Sequence, residues 1–171
     1  MSYLDTCVII AYGFKEEQNH LTAEKLVKKA KTHGDFYAST FSLVELFCVI
    51  SRKHQNYHLP SHIEILTDEE TKVESIVLYL MKLLNLKIPS DTPVVEDWED
   101  TKIFQTFLET TKIAYQTKLK GTNDTLHVAY VKKFYEKGLL KYLVTLDPDM
   151  NLKKDVIEKT ANVSLLGIKP K

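Results

Sequence analysis

The sequence predicts an α/β protein: a three-layer sandwich in which helices flank a mainly parallel sheet of roughly five strands. Short apolar segments of strand type alternate along the chain with longer segments in which apolar residues recur at helical spacing. Strands separated by helices pair in parallel through right-handed crossovers, and a parallel sheet is covered on both faces. The alternation and these two rules together predict the sandwich.

The predicted strands share a short apolar run that ends at a polar residue or a turn, and they cover residues 3–4, 36–38, 86–89, 142–146 and 163–166. The predicted helices share apolar residues at helical spacing, and they cover residues 6–12, 23–30, 40–50, 68–84, 97–119 and 123–137. The polar residues 52–61 are expected to form a loop, and residues 90–93 a turn.

The composition is that of a globular chain, and 171 residues predict one domain spanning residues 1–171. Lys and Arg total 23, as do Asp and Glu, so no overall positive charge attracts nucleic acid. Arg52 is the only arginine, and phosphate contacts would therefore depend on lysines. The sequence has no signal segment and no apolar stretch of about 18 residues, which predicts a cytoplasmic location without membrane insertion.

Four acidic residues are candidates for a common site. Asp5 and Asp147 directly follow predicted strands, where parallel sheets bind their ligands. Glu45 lies inside an apolar helical run, and Asp124 begins the helix that precedes the strand ending before Asp147. The predicted topology brings all four acids to one edge of the sheet.

The surroundings of Asp5 and Glu45 favour a bound cation. Both have mainly apolar neighbours, where a buried carboxylate needs a base or a cation as partner, and no lysine or arginine lies near them in the sequence. Clustered carboxylates repel one another, and a divalent ion relieves that repulsion. Oxygen ligands favour Mg²⁺ or Mn²⁺ over zinc.

Each acid also has a structural explanation on sequence alone. Asp5 and Asp124 lie where helices begin and can act as caps, and Asp147 precedes Pro148 and can begin a turn. Glu45, within a helix, is the hardest of the four to explain without a ligand.

Other candidate residues are interpreted as structural. His54, His58 and His62 recur at intervals of four, but the polar setting and Pro60 favour an exposed loop. His127, one turn after Asp124, is interpreted as a packing or surface residue, with orientation of a substrate as the alternative. Two cysteines without zinc-ligand spacing are interpreted as small buried apolar residues, with a regulatory disulfide as the alternative. An acidic run is explained by the start of the predicted helix over 97–119; it comprises Glu96, Asp97, Glu99 and Asp100.

The segments that carry the four acids resemble the PIN-domain family, which includes the VapC-type toxins of toxin–antitoxin pairs. They occur in the order and with the predicted elements of the family, at residues 3–6, 42–46, 123–129 and 144–149. The chain departs from compact toxins by extra length around residues 52–62 and 108–120.

This resemblance implies an endoribonuclease that requires Mg²⁺ or Mn²⁺ and hydrolyses phosphodiester bonds of single-stranded RNA. It implies a homodimer with an antitoxin or an RNA-processing protein as partner, and a role as the toxin of such a pair. The implied catalytic metal ligands are Asp5, Glu45, Asp124 and Asp147, with Thr6, Thr145 and Asp149 as helpers.

Two other functions fit the same residues. A phosphatase could use Asp5 as its nucleophile, but such sites resemble haloacid dehalogenases and carry a second acid where Cys7 stands here. A catalytically weak PIN-like binding module that acts through a protein partner is the other alternative.

Overall fold

The computed structural model of the protein describes residues 1–90 and 94–168. Its strands are β1 (Ser2–Leu4), β2 (Phe36–Tyr37), β3 (Val95–Trp98), β4 (Thr101–Phe104), β5 (Tyr142–Val144) and β6 (Ser164–Leu166). Its α-helices are α1 (Thr6–Gly13), α2 (His20–Lys31), α3 (Thr40–Lys53), α4 (Ser61–Glu64), α5 (Glu69–Leu84), α6 (Gln105–Thr117), α7 (Thr122–Glu136), α8 (Pro148–Leu152) and α9 (Lys154–Ala161).

The main sheet has the order β2-β1-β5-β6, and every pair of neighbouring strands is parallel. The central strands are paired from Ser2 opposite Tyr142 to Leu4 opposite Val144. The predicted α/β sandwich is therefore confirmed, with four strands instead of five among the described residues. The predicted strand over 86–89 contributes a single parallel bridge between Lys87 and Tyr37.

Helices cover both faces of this sheet. Successive side chains of a strand point to opposite faces, so each strand contributes to two cores. On β1, Leu4 belongs to a core that it shares with apolar residues of α1, α2, α3 and α5. Its neighbour Tyr3 belongs to a second core, with Ile113 of α6, Val128 of α7 and Ile157 of α9. The sheet is thus the middle layer of three.

Two helices carry the site and have well-defined starts. The Ser39 side chain accepts a hydrogen bond from the Ser42 backbone N–H, and Ser42 reciprocates, forming a capping box at the start of α3. Glu45 follows one turn later. Helix α7 begins after Gly121 and has Asp124 in its first turn, where an acid is favoured by the helix dipole.

The predicted helix over 97–119 is wrong in its first part. Strands β3 and β4 form an antiparallel hairpin there, and the helix begins only at Gln105. Glu99 adopts a left-handed backbone with φ 52°, which produces the tight reversal between Trp98 and Thr101. The acidic run therefore lies on a hairpin and not at a helix start. Of the predicted turn over 90–93, residues 91–93 lie outside the described part of the chain.

The two segments of predicted extra length are ordered parts of the fold. Residues 54–56 form a 3-10 turn, followed by Tyr57, whose ring stacks on Phe14 with a centroid distance of 3.9 Å. His54 is buried, which contradicts the expected exposed loop at that position. Residues 108–120 include most of α6, which ends where Lys118 turns left-handed. No helix in the described ranges is long and apolar enough to cross a membrane.

Helix α5 offers a matched test of the core beside the site. Leu80 is 0% exposed and Leu78 is 46% exposed on the same helix. We expect Leu80→Ala to lower the free energy of unfolding by about 3 kcal/mol, because it opens a cavity in the core. Leu78→Ala should change it by less than about 0.5 kcal/mol. Urea denaturation measures both values, and equal losses would contradict the packing described here.

Candidate metal centre

A cavity of about 370 Å³ lies beyond the carboxyl ends of β1 and β5, where a parallel sheet is expected to bind its ligands. All four acids singled out from the sequence are among its lining residues: Asp5, Glu45, Asp124 and Asp147. The structure thus brings these four acids together at one edge of the sheet, as the sequence predicted. Their individual surroundings differ sharply.

Asp5 is held by neighbours from two strand ends and is 4% exposed. The hydroxyl of Thr145 donates a hydrogen bond to Asp5 Oδ2 over 2.6 Å, and the Cys7 thiol donates to the same oxygen over 3.1 Å. Thr145 Oγ1 in turn accepts from the backbone N–H of Asp147 over 2.9 Å. Thr145 therefore links the acid after β1 to the acid after β5.

Glu45 also has partners for both of its oxygens. Asn123 Nδ2 donates to Oε1 over 2.9 Å, and His127 Nε2 lies 2.8 Å from Oε2. Burial raises the pKa of Glu45, but the hydrogen bond and charge of His127 outweigh burial and lower the pKa to about 2. The Thr6 hydroxyl adds to this lowering, although its position falls short of a regular hydrogen bond.

His127 is the site residue that the sequence interpretation missed. It is 1% exposed, and its Nε2 lies 2.8 Å from Glu45 Oε2 and 3.4 Å from Asp5 Oδ1. Burial acts to lower its pKa, but Tyr3, Asp5 and Glu45 raise the pKa well above the usual value. Asp5 and Glu45 therefore have a basic partner, and it comes from α7, which is distant from both in the sequence.

Asp124 is in the opposite situation. Its carboxylate lies over the start of α7, close to Gly121, yet it accepts no hydrogen bond from any described residue. The capping role that its position suggested is not formed. Burial and the charges of Asp147 and Asp5 raise its pKa to about 6. Asp124 is thus a partly buried acid beside other acids without a partner of its own.

Asp147 combines a structural contact with a place in the cavity. Its Oδ1 accepts a hydrogen bond from the Met150 N–H over 2.7 Å and so caps α8, where the sequence suggested only a turn before Pro148. Asp149, in contrast, is not among the cavity-lining residues. Its Oδ2 accepts from the Lys120 N–H and pairs with Lys153 Nζ at 3.2 Å.

Both cysteines are free. The interpretation of both as buried holds in part for Cys7, which is half-buried in the site, and is wrong for Cys48, which is exposed. Burial and the neighbouring Asp5 raise the pKa of the Cys7 thiol, which keeps it protonated as a hydrogen-bond donor.

The donor set suits a hard divalent cation. Side-chain atoms of Asp5, Glu45 and His127 that could bind an ion lie within 4.8 Å of one another, and Asp124 and Asp147 line the same cavity outside that cluster. Carboxylate oxygens are the ligands that Mg²⁺ and Mn²⁺ prefer. The repulsion at Asp124 is the kind of conflict that a cation resolves. The residues present therefore fit such an ion.

Fold and site together define an α/β protein with an acidic, cation-type cavity at one edge of a parallel sheet. A family model described as PIN domain matches residues 2–155, and the chain belongs to this family. PIN domains are generally nucleases that use divalent metal ions. The resemblance noted from the sequence is thereby confirmed at the level of the family.

A similar solved structure is that of VapBC2 from Rickettsia felis, bound to a DNA fragment from their promoter. The two chains are 15% identical over 99% of this chain and 100% of that one, with a TM-score of 0.51. At this identity the similarity concerns the fold. No curated protein sequence matches the chain.

The unequal surroundings of the acids predict opposite effects on stability in EDTA. Asp124→Asn should raise the free energy of unfolding at pH 7 by about 1 kcal/mol, a discounted conversion of its pKa shift. Asp5→Asn should lower it, because a buried acceptor loses its charge-assisted bonds from Thr145 and Cys7.

The pH dependence gives the control for this prediction. The folded protein holds a proton on Asp124 more tightly than the unfolded chain, so the stability that Asp124 contributes is fully present below about pH 4 and is lost as pH rises through about 6. The gain from Asp124→Asn should therefore vanish near pH 4. Denaturant unfolding at both pH values measures it, and a gain independent of pH would contradict the assigned repulsion.

Proposed function

We propose that this protein is a metal-dependent endoribonuclease that hydrolyses phosphodiester bonds of single-stranded RNA. Asp5, Glu45, Asp124 and Asp147 hold Mg²⁺ or Mn²⁺ in this proposal, and Thr6 and Thr145 support them. Membership of a family of nucleases gives the reaction class. RNA as the substrate and these four residues as the ligands are parts of the proposal.

The observation that carries the proposal is the unpartnered carboxylate of Asp124. A partly buried acid whose pKa is raised to about 6 by burial and by neighbouring acids is unfavourable for the metal-free fold. Such perturbed groups gather where function requires them. A cation is the partner that would make this arrangement favourable.

The division of labour follows from the contacts. A bound divalent ion activates water and stabilises charge on the phosphate. Thr145 orients Asp5 by donating to Oδ2, which leaves Oδ1 facing the cluster with Glu45 and His127. Asn123 and His127 fix both oxygens of Glu45. Asp149 is a remoter helper that steadies the segment after β5 through Lys120 and Lys153.

Cleavage of a labelled single-stranded RNA tests the proposal. Purified protein should cut in Mn²⁺ or Mg²⁺ and lose activity in EDTA. Asp124→Asn and Asp5→Asn should each lower the rate by about 100-fold or more, because each removes a charged ligand. Asp155→Asn, at an exposed position of α9, is the matched control. Activity that survives EDTA and both substitutions would exclude the proposal.

Substrate contact is proposed for Lys53. It is the one Lys or Arg that lines the cavity within the described ranges. Its Nζ lies 3.3 Å from Glu17 Oε1, and the Tyr57 hydroxyl donates to the same oxygen over 2.6 Å. Because Tyr57 stacks on Phe14, Glu17 is held in place, and it in turn holds the positive charge of Lys53 at the cavity. A lysine there can contact a backbone phosphate as a point charge.

Binding of single-stranded RNA to the Asp5→Asn protein tests this role without cleavage. Adding Lys53→Met should weaken binding by about threefold to tenfold and reduce the slope of log affinity against log salt by about 0.7, the value for one phosphate contact. Lys141→Met is the control, since Lys141 is exposed before β5, at the opposite edge of the sheet. Fluorescence anisotropy at several salt concentrations measures both. An unchanged salt slope would remove Lys53 from the interface.

The biological setting is also a proposal. We place the protein in the cytoplasm as the homodimeric toxin of a toxin–antitoxin pair, with an antitoxin as its partner. The fold shared with VapBC2 supports this setting. A catalytically weak binding module with an antitoxin or RNA-processing partner would instead copurify with that partner and cut no RNA. We also propose that residues 1–171 form a single domain.

A further inference from the structure

We propose that Tyr3, Ser42 and His127 form a positioning layer, a set of buried hydrogen-bonded residues behind the metal site that fixes the Glu45 carboxylate for the ion. This inference rests on the proposed function, because it assigns a role toward the same metal. The three residues are positioning residues and are not ligands.

The spacing of residues in three elements produces the layer. Each element supplies one acid that lines the cavity and one residue that lies behind it. A separation of two residues in a strand, or of three in a helix, keeps two side chains on the same side. The pairs are Asp5 with Tyr3 at β1, Glu45 with Ser42 on α3, and Asp124 with His127 on α7.

The layer is closed by hydrogen bonds and excludes water. The Tyr3 hydroxyl lies 2.8 Å from His127 Nδ1, 2.8 Å from Ser42 Oγ and 3.0 Å from Ser39 Oγ. Tyr3 and both serines are 0% exposed. The two serines also form the capping box that starts the helix carrying Glu45. One network therefore joins β1, α3 and α7 behind the carboxylates.

Both ring nitrogens of His127 have partners within the protein. Nε2 lies 2.8 Å from Glu45 Oε2, and Nδ1, on the other side of the ring, lies 2.8 Å from the Tyr3 hydroxyl. His127 thus presents a donor to Glu45 in the way that outer partners orient metal-binding carboxylates.

The layer matters because Glu45 has no other anchor of comparable rigidity. Its side chain is 19% exposed, and Asn123, which holds Oε1, is exposed at the first turn of α7. Without the ring of His127 fixed from behind by Tyr3, the Oε2 contact would lose its direction. The ion would then meet a mobile ligand and bind less tightly.

The test compares two buried tyrosines that are paired side by side on neighbouring parallel strands. Tyr3→Phe removes the hydroxyl that holds His127, and Tyr37→Phe removes one that donates to Met1 Sδ and does not line the cavity. Isothermal titration with Mn²⁺ should show about tenfold weaker binding for Tyr3→Phe and less than twofold change for Tyr37→Phe.

Equal Mn²⁺ affinity of Tyr3→Phe and the wild type would overturn the positioning layer alone. Absence of Mn²⁺ binding by the wild type would overturn the proposed function together with it. If a variant fails to fold, electron spin echo spectroscopy of Mn²⁺ on the wild-type protein still decides the role of His127. We expect no ¹⁴N coupling from an imidazole ligand, and a directly bound nitrogen would overturn the proposal.

Discussion

Repulsion between carboxylates that share one sheet edge is the constraint on which the rest of this site depends. The protein meets it in two ways. Asp5 and Glu45 are surrounded by donors and share the imidazole of His127. Asp124 has no such donors among the described residues, and Asp147 keeps one oxygen for the cap of α8. One half of the site is therefore satisfied by the protein, and the other half is left to a ligand.

The parallel sheet creates this constraint. Because β1 and β5 are direct neighbours with Leu4 opposite Val144, the residues that follow them emerge side by side. An antiparallel pair would send the two chains to opposite edges. Helix α3, which follows β2, and helix α7, which follows α6, then add Glu45 and Asp124 at the same edge. The topology thus brings the acids together, and hydrogen-bond donors around them compensate part of their negative charge.

The sequence predicts much of this arrangement because the signals are local. Strand ends before Asp5 and Asp147, and helix starts before Glu45 and Asp124, are visible in the order of residues. His127 is not, because its partners come from β1 and α3, and a lone histidine on a helix has no local signature of such a contact. Its three-residue spacing from Asp124 gives both side chains the same direction on α7, but that spacing does not reveal the partners from other elements.

The errors in the fold have a similar origin. The acidic residues after Val95 favour a helix start by charge alone, whereas the hairpin depends on the left-handed turn at Glu99, which its residue type does not announce. The strand predicted at 86–89 shortens to one bridge at Lys87, because pairing depends on how far β2 extends. Register and long-range partners are properties of the folded chain, and local patterns do not contain them.

The presence of His127 also separates folding from metal binding. In small zinc domains the ligands have no other partners, and the fold depends on the ion. Here the most buried acid, Asp5, and the acid within α3, Glu45, already have hydrogen bonds that compensate their burial. The fold can therefore form without an ion, and the free energy left for the ion comes from Asp124 and its acidic neighbours. A preformed site in which the charge of Asp124 is uncompensated can bind a cation without reorganising the core.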